Sequence, residues 1–383
     1  MLEPVVARSV EEALALRDAW EALPIGGPHA DLDFYLAVID ERGEALAPHA
    51  VLLLDDGVPT ALVATRLEEI SLVATFGYRE VYRPRVRAFT LVPGGVVAPD
   101  PSAERELARC LLRSLDEQEA DVLVIPSLRR DSELFAFVHD VAGPLRRSHF
   151  AEIRAHRRLH LPPTFDDFLA SRTKKVRSGV RYDAKRLEQR LGDRLRVERL
   201  DAPGDFDRVF GDIVRVTELT YQRGLGAGFA DTPERRRLTE LSLERGWFHA
   251  WVLYDEETPI AFWQGNVYRR TYHSGTTGYD PAYRKDRVGI YLLMRVIEDL
   301  CRNPDVDIFD FGFGDADYKR HFSDDAWSES DLVVFAARAR PLAINATRTA
   351  VMGSAYGIRR GLDRIGVTNR IKATWRRRLR TSA

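Results

Sequence analysis

The chain has 383 residues, 45% hydrophobic and 30% charged, with a formal net charge of −1. That is long for one domain and ample for two cores. No apolar run approaches the roughly eighteen residues of a spanning helix, the N-terminus lacks a basic-then-apolar leader, and Cys110 and Cys301 sit singly in apolar helical patterns. These features point away from membrane and disulfide-rich classes and toward a reducing, cytoplasmic setting.

In chain order, Val10 to Trp20 reads as a helix, with Ser9 as cap and Glu12 as its capping-box partner. The runs 50–54 and 60–64 flank Asp55 to Pro59, a hairpin with a glycine-bearing turn. An apolar run from Leu91 to Val97 is interrupted by Pro93, Gly94 and Gly95. A helix around Leu107 to Leu115 then leads into a buried strand, Asp121 to Ile125. After Pro162 and Pro163 come short helical stretches. The second, Ser171 to Leu191, carries Lys174, Arg177 and Arg181 at i, i+3, i+7, one helix face that is either solvated or a seat for phosphate or tRNA.

A helix over about Phe206 to Tyr221 and a glycine-rich loop, Gly224 to Gly228, follow. Then the earlier order recurs. A hairpin (251–254 and 259–263) precedes a strand Thr271 to Tyr279, a helix Ile290 to Leu300 and a strand Val306 to Asp310. Two copies of one α/β unit explain the repetition. The expected boundaries are 1–162, 163–339 and a tail, 340–383. From Arg338 onward eleven arginines and Lys372 face a single acid, Asp363. Apolar residues at Ile358, Leu362, Ile365, Ile371, Trp375 and Leu379 give the tail helical spacing. It suits packing on the acidic body or lying on an anionic membrane surface.

The chemistry concentrates between Phe262 and Phe322. Gly275 and Gly278 inside a strand mark a bulge or a close backbone approach. Arg284, Arg287 and Gly289 open a helix whose free N–H groups suit a pyrophosphate. Gly312 and Gly314 follow a strand end, where α/β sheets bind ligands, and Tyr318 and Lys319 lie on the next turn. Asp315 and Asp317 also resemble the paired acids that hold a divalent metal in nucleotide-sugar glycosyltransferases, whereas the spacing fails a dinucleotide fingerprint at Asp317.

The element order and the Asp310-Phe-Gly-x-Gly…Tyr-Lys319 signature resemble the acetyltransferase-like (GNAT) superfamily, in the branch of CelD-like and FemAB-like proteins. The basic stretch Ser171 to Arg177, with Arg181, is similar to the helix that opens their C-terminal domain. The resemblance covers about Phe165 to Phe322. It implies an α/β (α+β) fold of two tandem GNAT-like domains with partly splayed mixed sheets flanked by helices, and a basic helical tail. It further implies an acyl donor lying where two parallel strands part, with main-chain amides of Ser274, Gly275 and Thr276 facing the reactive carbonyl. Arg284, Arg287, Gly289, Gly312, Gly314 and Lys319 would bind the donor. Tyr318 would protonate the leaving group, and His273 or Asp310 would take the acceptor's proton. The first glycine of the family's pyrophosphate loop is replaced by Arg287. The function expected is N- or O-acyl or aminoacyl transfer from acyl-CoA, or from aminoacyl-tRNA, to an amine or hydroxyl of a sugar or cell-envelope precursor. No metal enters this chemistry. A degenerate binding module and a metal-dependent glycosyltransferase are the rival readings.

Overall fold

The computed structural model describes residues 2–77, 79–200, 203–220 and 229–364. The first half runs β1 (Leu2–Ala7), α1 (Val10–Ala15), α2 (Arg17–Glu21), α3 (Leu32–Glu41), β2 (Ala45–Asp55) and β3 (Val58–Ser71). A small hairpin, β4 (Ala74–Phe76) and β5 (Arg79–Tyr82), leads to β6 (Arg85–Val97), α4 (Pro101–Asp116), β7 (Val122–Arg129) and α5 (Glu133–Arg146). The expected helix 10–20 is in fact two. Ser9 caps Glu12 N as anticipated, but Leu16 leaves helical geometry (φ −92°, ψ 5°) and its N–H turns back to Ala13. Glu12 answers with a bond to the N–H of Arg8 (2.6 Å), one residue earlier than a regular capping box.

The chain then crosses over through β8 (Ile153–His160), α6 (Phe165–Ser171) and α7 (Lys174–Leu191). The second half adds β9 (Leu195–Leu200), α8 (Phe206–Leu219), α9 (Pro233–Glu244), β10 (Phe248–Asp255), β11 (Thr258–Tyr268) and β12 (Thr271–Tyr279). It closes with α10 (Val288–Cys301), β13 (Ile308–Phe313), α11 (Asp317–Phe322), β14 (Asp325–Phe335) and α12 (Ala339–Arg364).

Twelve strands form one sheet in the order β1-β2-β3-β6-β7-β14-β8-β13-β12-β11-β10-β9. The order is a near-palindrome. Each half supplies a five-strand block with a single parallel pair, β6–β7 or β12–β13. The two central strands are exchanged: β14, from the end of the second half, pairs with β7, while β8 pairs with β13. Strand β8 thereby carries His156 and Arg158 to the centre of the second half.

Strand β10 is buried along its whole length because both faces of the sheet are covered. On one face α6, α7 and α10 pack Phe168, Leu187, Leu292 and Ile297 onto Trp251, Trp263 and Phe309. On the other, α8 supplies Phe210 and Ile213 against Val252 and Phe262. The same two-faced packing recurs in the first half through α4 with α5 and through α1 to α3. Gly265 is required by this core. A Cβ there would stand 2.3 Å from the carbonyl oxygen of His273 and 2.7 Å from the Tyr272 ring. Gly265→Ala is expected to cost about 3 kcal/mol, since a fully buried tyrosine and a strand would have to move; urea unfolding measures it.

Among the described residues no helix is long and apolar enough to cross a membrane. The first turns of α12 dock on the body: Arg340 donates to Asp121 (2.7 Å), and Asn345 donates to the carbonyls of Leu145 and Arg147 (3.0 Å each). The tail positions Ile365, Ile371, Trp375 and Leu379, and the glycine-rich loop 224–228, lie outside the described residues.

Candidate active site

Both parallel pairs open into forks. In the first half β6 and β7 pair at three positions, the last being Thr90 opposite Val124. In the second, β12 and β13 also pair at three positions, the last being His273 opposite Asp310. Beyond that point β12 continues to Tyr279 along β11 alone, and β13 follows β8. The edge of β12 facing the fork therefore has no strand partner. Between Trp263–Thr277 and Gly265–Ser274, β12 holds one residue more than β11, a bulge at Gly275 and Thr276. The glycine pattern anticipated this irregularity. The first-half fork differs in its own bulge, where Gly94 packs on the backbone of Gly26 and Gly27 (a Cβ would lie 2.6 Å from the Gly27 nitrogen). Its last pair also carries no ionisable group.

The last pair of the second fork is embedded in charge. Asp310 is 5% exposed. Its Oδ1 accepts from His156 Nε2 (2.6 Å) and from the Gly312 N–H (2.8 Å), and its Oδ2 from Arg158 Nε (2.8 Å). Burial alone would raise its pKa, but these donors and the two positive charges hold the carboxyl well below the usual carboxylate range. A carboxylate so committed is a poor proton acceptor. Gly312 (φ 66°) and Gly314 (φ 105°) make the turn by which β13 leaves, a left-handed path that suits glycine.

His273 has the opposite environment. Its Nε2 is buried without a hydrogen-bond partner, and so is Oδ1 of Asn266, its register neighbour on β11. Burial pushes its pKa down, with Asp310 opposing and the charges of Arg158 and His156 reinforcing. The ring is neutral near pH 7 and has a lone pair or a proton to exchange. Tyr318 sits across the other face of the fork, its ring edge-on to Trp263 (5.9 Å) and Phe311 (6.2 Å). Lys319 is anchored to the protein itself. Its ammonium donates to the carbonyls of Phe311 (2.6 Å) and Phe313 (2.7 Å), capping β13 where it parts from β12, and burial lowers its pKa.

On the α10 side a cavity of about 650 Å³ is lined by Arg172, Lys175, Asp183, Arg287 and Arg320, among others. No side chain caps the N-terminus of α10, where the Ile290 N–H already donates to the Arg287 carbonyl (2.9 Å). Arg287 holds the glycine position of the loop at φ 54°, a left-handed conformation that costs an ordinary residue about 1 kcal/mol. Its Nε lies 3.2 Å from Asp183 Oδ2. Arg284 is exposed, and a Cβ on Gly289 would be 3.3 Å from the Tyr279 ring.

Helix α7 divides its cations. Arg177 caps α6 through the carbonyls of Ala170 and Arg172 (3.2 Å each), and Arg186 and Arg190 tie down the turn at Lys285 and Asp286. Lys174, Lys175 and Arg181 stay exposed. Asp315 accepts from Arg157 (2.9 Å) and Arg320 (2.7 Å), and Asp317 pairs with Arg320. Among the described residues no cluster of three or more His, Cys, Asp or Glu could hold a metal ion. The metal-site reading of the two acids loses its ligands to arginines.

Sequence reasoning missed His156, Arg158, Glu329 and Arg320. The i, i+2, i+4 recurrence of Arg154, His156 and Arg158 was the available signal, since it puts three cations on one strand face. What hid them was the strand exchange, which pairs them with residues more than 150 positions away.

Residues 174–320 match the sequence profile of the acetyltransferase (GNAT) domain family. No curated protein matches the chain. Among solved structures, FemX superposes with a TM-score of 0.59 at 12% identity, covering 87% of this chain and 97% of FemX. A conserved protein of unknown function from Bacteroides thetaiotaomicron gives 0.50 at 14% identity, over 84% and 97% of the two chains. The C-terminal domain of a putative lysylphosphatidylglycerol synthetase from Agrobacterium fabrum gives 0.50 at 10%, over 89% and 97%. At such identities the structural likeness establishes the fold alone, and the profile match covers the stretch that carries the second fork. Residues 174–320 thus carry an acetyltransferase (GNAT) domain, set in a chain whose fold is similar to that of FemX.

Proposed function

We propose that this chain transfers an acyl or aminoacyl group directly from an activated ester or thioester to an amine or hydroxyl of a sugar or cell-envelope precursor, at the fork between β12 and β13. The observation that carries the reading is the fork itself: an unpaired β12 edge beside a bulge, with His273 at its root. The donor's carbonyl lies along that edge, where main-chain N–H groups of Ser274, Gly275 and Thr276 stabilise the oxyanion that develops during attack. His273 Nε2 takes the proton of the incoming amine or hydroxyl, and Tyr318 returns one to the departing thiolate or alkoxide. No covalent enzyme intermediate is needed.

The anionic end of the donor lies in the cavity at the α10 N-terminus, beside the cations Lys175, Arg287 and Arg320. Acyl-CoA is the favoured donor because the half-open cavity between α7, α10 and α11 is scaled to a small phosphorylated molecule. Aminoacyl-tRNA is the second donor, favoured by the exposed Lys174 and Arg181 beside the same opening. A ligand-shift panel decides between them. Acetyl-CoA or a longer acyl-CoA is expected to raise Tm; a shift given only by aminoacyl-tRNA moves the reading to the second donor. No shift from either, together with no transfer, leaves the binding-module reading. Tyr318→Phe is expected to lower turnover while keeping the ring that packs on Trp263 and Phe311; wild-type turnover removes the phenol from the mechanism.

A further inference from the structure

We infer that His156 is a positioning residue of the fork: hydrogen-bonded through Nε2 and facing a second carboxylate at Nδ1, it keeps Asp310 where that carboxylate fixes the turn at Gly312. The imidazole is packed flat on Trp327, ring centroids 4.4 Å apart and planes 13° from parallel. Nε2 donates to Asp310 Oδ1 (2.6 Å), and Nδ1 lies 2.9 Å from Glu329 Oε1. The latter contact is an ion pair rather than a straight hydrogen bond. Both carboxylates are almost wholly buried, at 6% side-chain exposure each. A neutral imidazole has one N–H and one lone pair, so it would set the lone pair against a buried carboxylate on one side. A second proton removes that clash and turns the Nδ1 contact into an ion pair with Glu329, so the geometry favours an imidazolium.

The neighbouring charges agree with this. Asp310 comes from β13, Glu329 from β14, Arg158 from β8 itself and the neutral His273 from β12, while the Arg129 guanidinium of β7 lies 5.1 Å from the Trp327 ring centroid. With His156 charged, the two buried acids are balanced by His156 and Arg158. With it neutral, one acid lacks a buried counter-charge. Burial would push the ring's pKa down, but its two carboxylate neighbours outweigh that and raise it.

The pinned carboxylate has two consequences. Its Oδ1 accepts the Gly312 N–H (2.8 Å), which sets the left-handed turn that separates β13 from β12. It is also kept from accepting a further proton, which leaves that work to the adjacent His273. The second consequence rests on the acyl-transfer reading; the first does not.

The test is a pH titration of the full chain by nitrogen-15 NMR, following the histidine rings and the Gly312 amide, with His156→Gln used to assign the ring. Expected are an imidazolium at His156 through neutral pH and a Gly312 amide that moves with the same alkaline midpoint. In Glu329→Gln that midpoint falls. In His156→Gln the Gly312 amide loses its alkaline transition. A neutral His156 ring at pH 7, or a Gly312 amide indifferent to its titration, overturns the inference, and the wild-type titration alone decides if the variants fail to fold. In parallel, the thermal shift given by acetyl-CoA should lose its alkaline limb in His156→Gln. The titration needs no donor, so a missing acetyl-CoA shift counts against the donor reading alone.

Discussion

If the proposed acyl transfer takes place at the fork, His273→Asn is expected to lower its rate by roughly two to four orders of magnitude while the fold survives. Asparagine keeps a polar side chain of similar reach on β12 but has no nitrogen that accepts a proton. The native ring has a buried, unpartnered Nε2 at the root of the fork, and burial with two nearby cations lowers its pKa. It is thus already deprotonated at neutral pH, and the acid limb of kcat/KM falls below the ordinary histidine range. The measurement is a pH–rate profile of both proteins with whichever donor the ligand panel selects. An unchanged rate, or an acid limb that persists in the variant, removes His273 from the chemistry and shifts attention to water or to the substrate's own groups.

Asp310→Ala produces the largest loss of stability, about 3–5 kcal/mol in urea unfolding. The deletion strands His156 and Arg158, which lose their buried carboxylate, and removes the acceptor of the Gly312 N–H. The pH dependence follows from the direction of the shift. A carboxyl depressed in the folded state contributes stability that is complete above its unfolded pKa, near 4, and is lost as pH falls through its folded value. Asp310→Asn should therefore flatten the acid side of the stability curve. The raised pKa of His156 acts in the opposite sense: its contribution is complete below about 6.5 and is lost as pH rises through the folded value. A Tm profile of Asp310→Asn that falls on acidification as steeply as the wild type would refute this account.

Arg287 shows how one substitution can be local in sequence and still depend on the fold. Arg287 adopts the left-handed conformation that glycine favours at the entry to α10. What changes is the wall of the cavity, where a guanidinium paired with Asp183 replaces open space. The sequence could name the departure. Only the structure gives it a partner and a direction.

Much of the second half was readable from local patterns. The strand 271–279 coincides with β12, the basic stretch after Pro163 folds as α6 and α7, and Gly275 announces the bulge. These are properties that neighbouring residues decide among themselves: alternation, capping and the conformational range of glycine. Lys319 and Arg177 show the limit of that reading. Both looked available to a ligand, yet each is turned inward onto carbonyls of its own backbone. A cation's partner is set by whatever the fold leaves unpaired nearby, which no local pattern encodes.

By itself, then, the sequence determined the repeated α/β unit, its glycine-marked irregularities and the segment where chemistry gathers. Tertiary structure decided which carboxylate is pinned and which buried histidine nitrogen has no partner. The physical reason for the first is the exchange of β8 and β14, which places Asp310 between cations more than 150 residues away, while His273 Nε2 on β12 is buried without a hydrogen bond. Protonation depends on burial and on charges within a few ångströms, and those distances exist only once the two halves have traded strands.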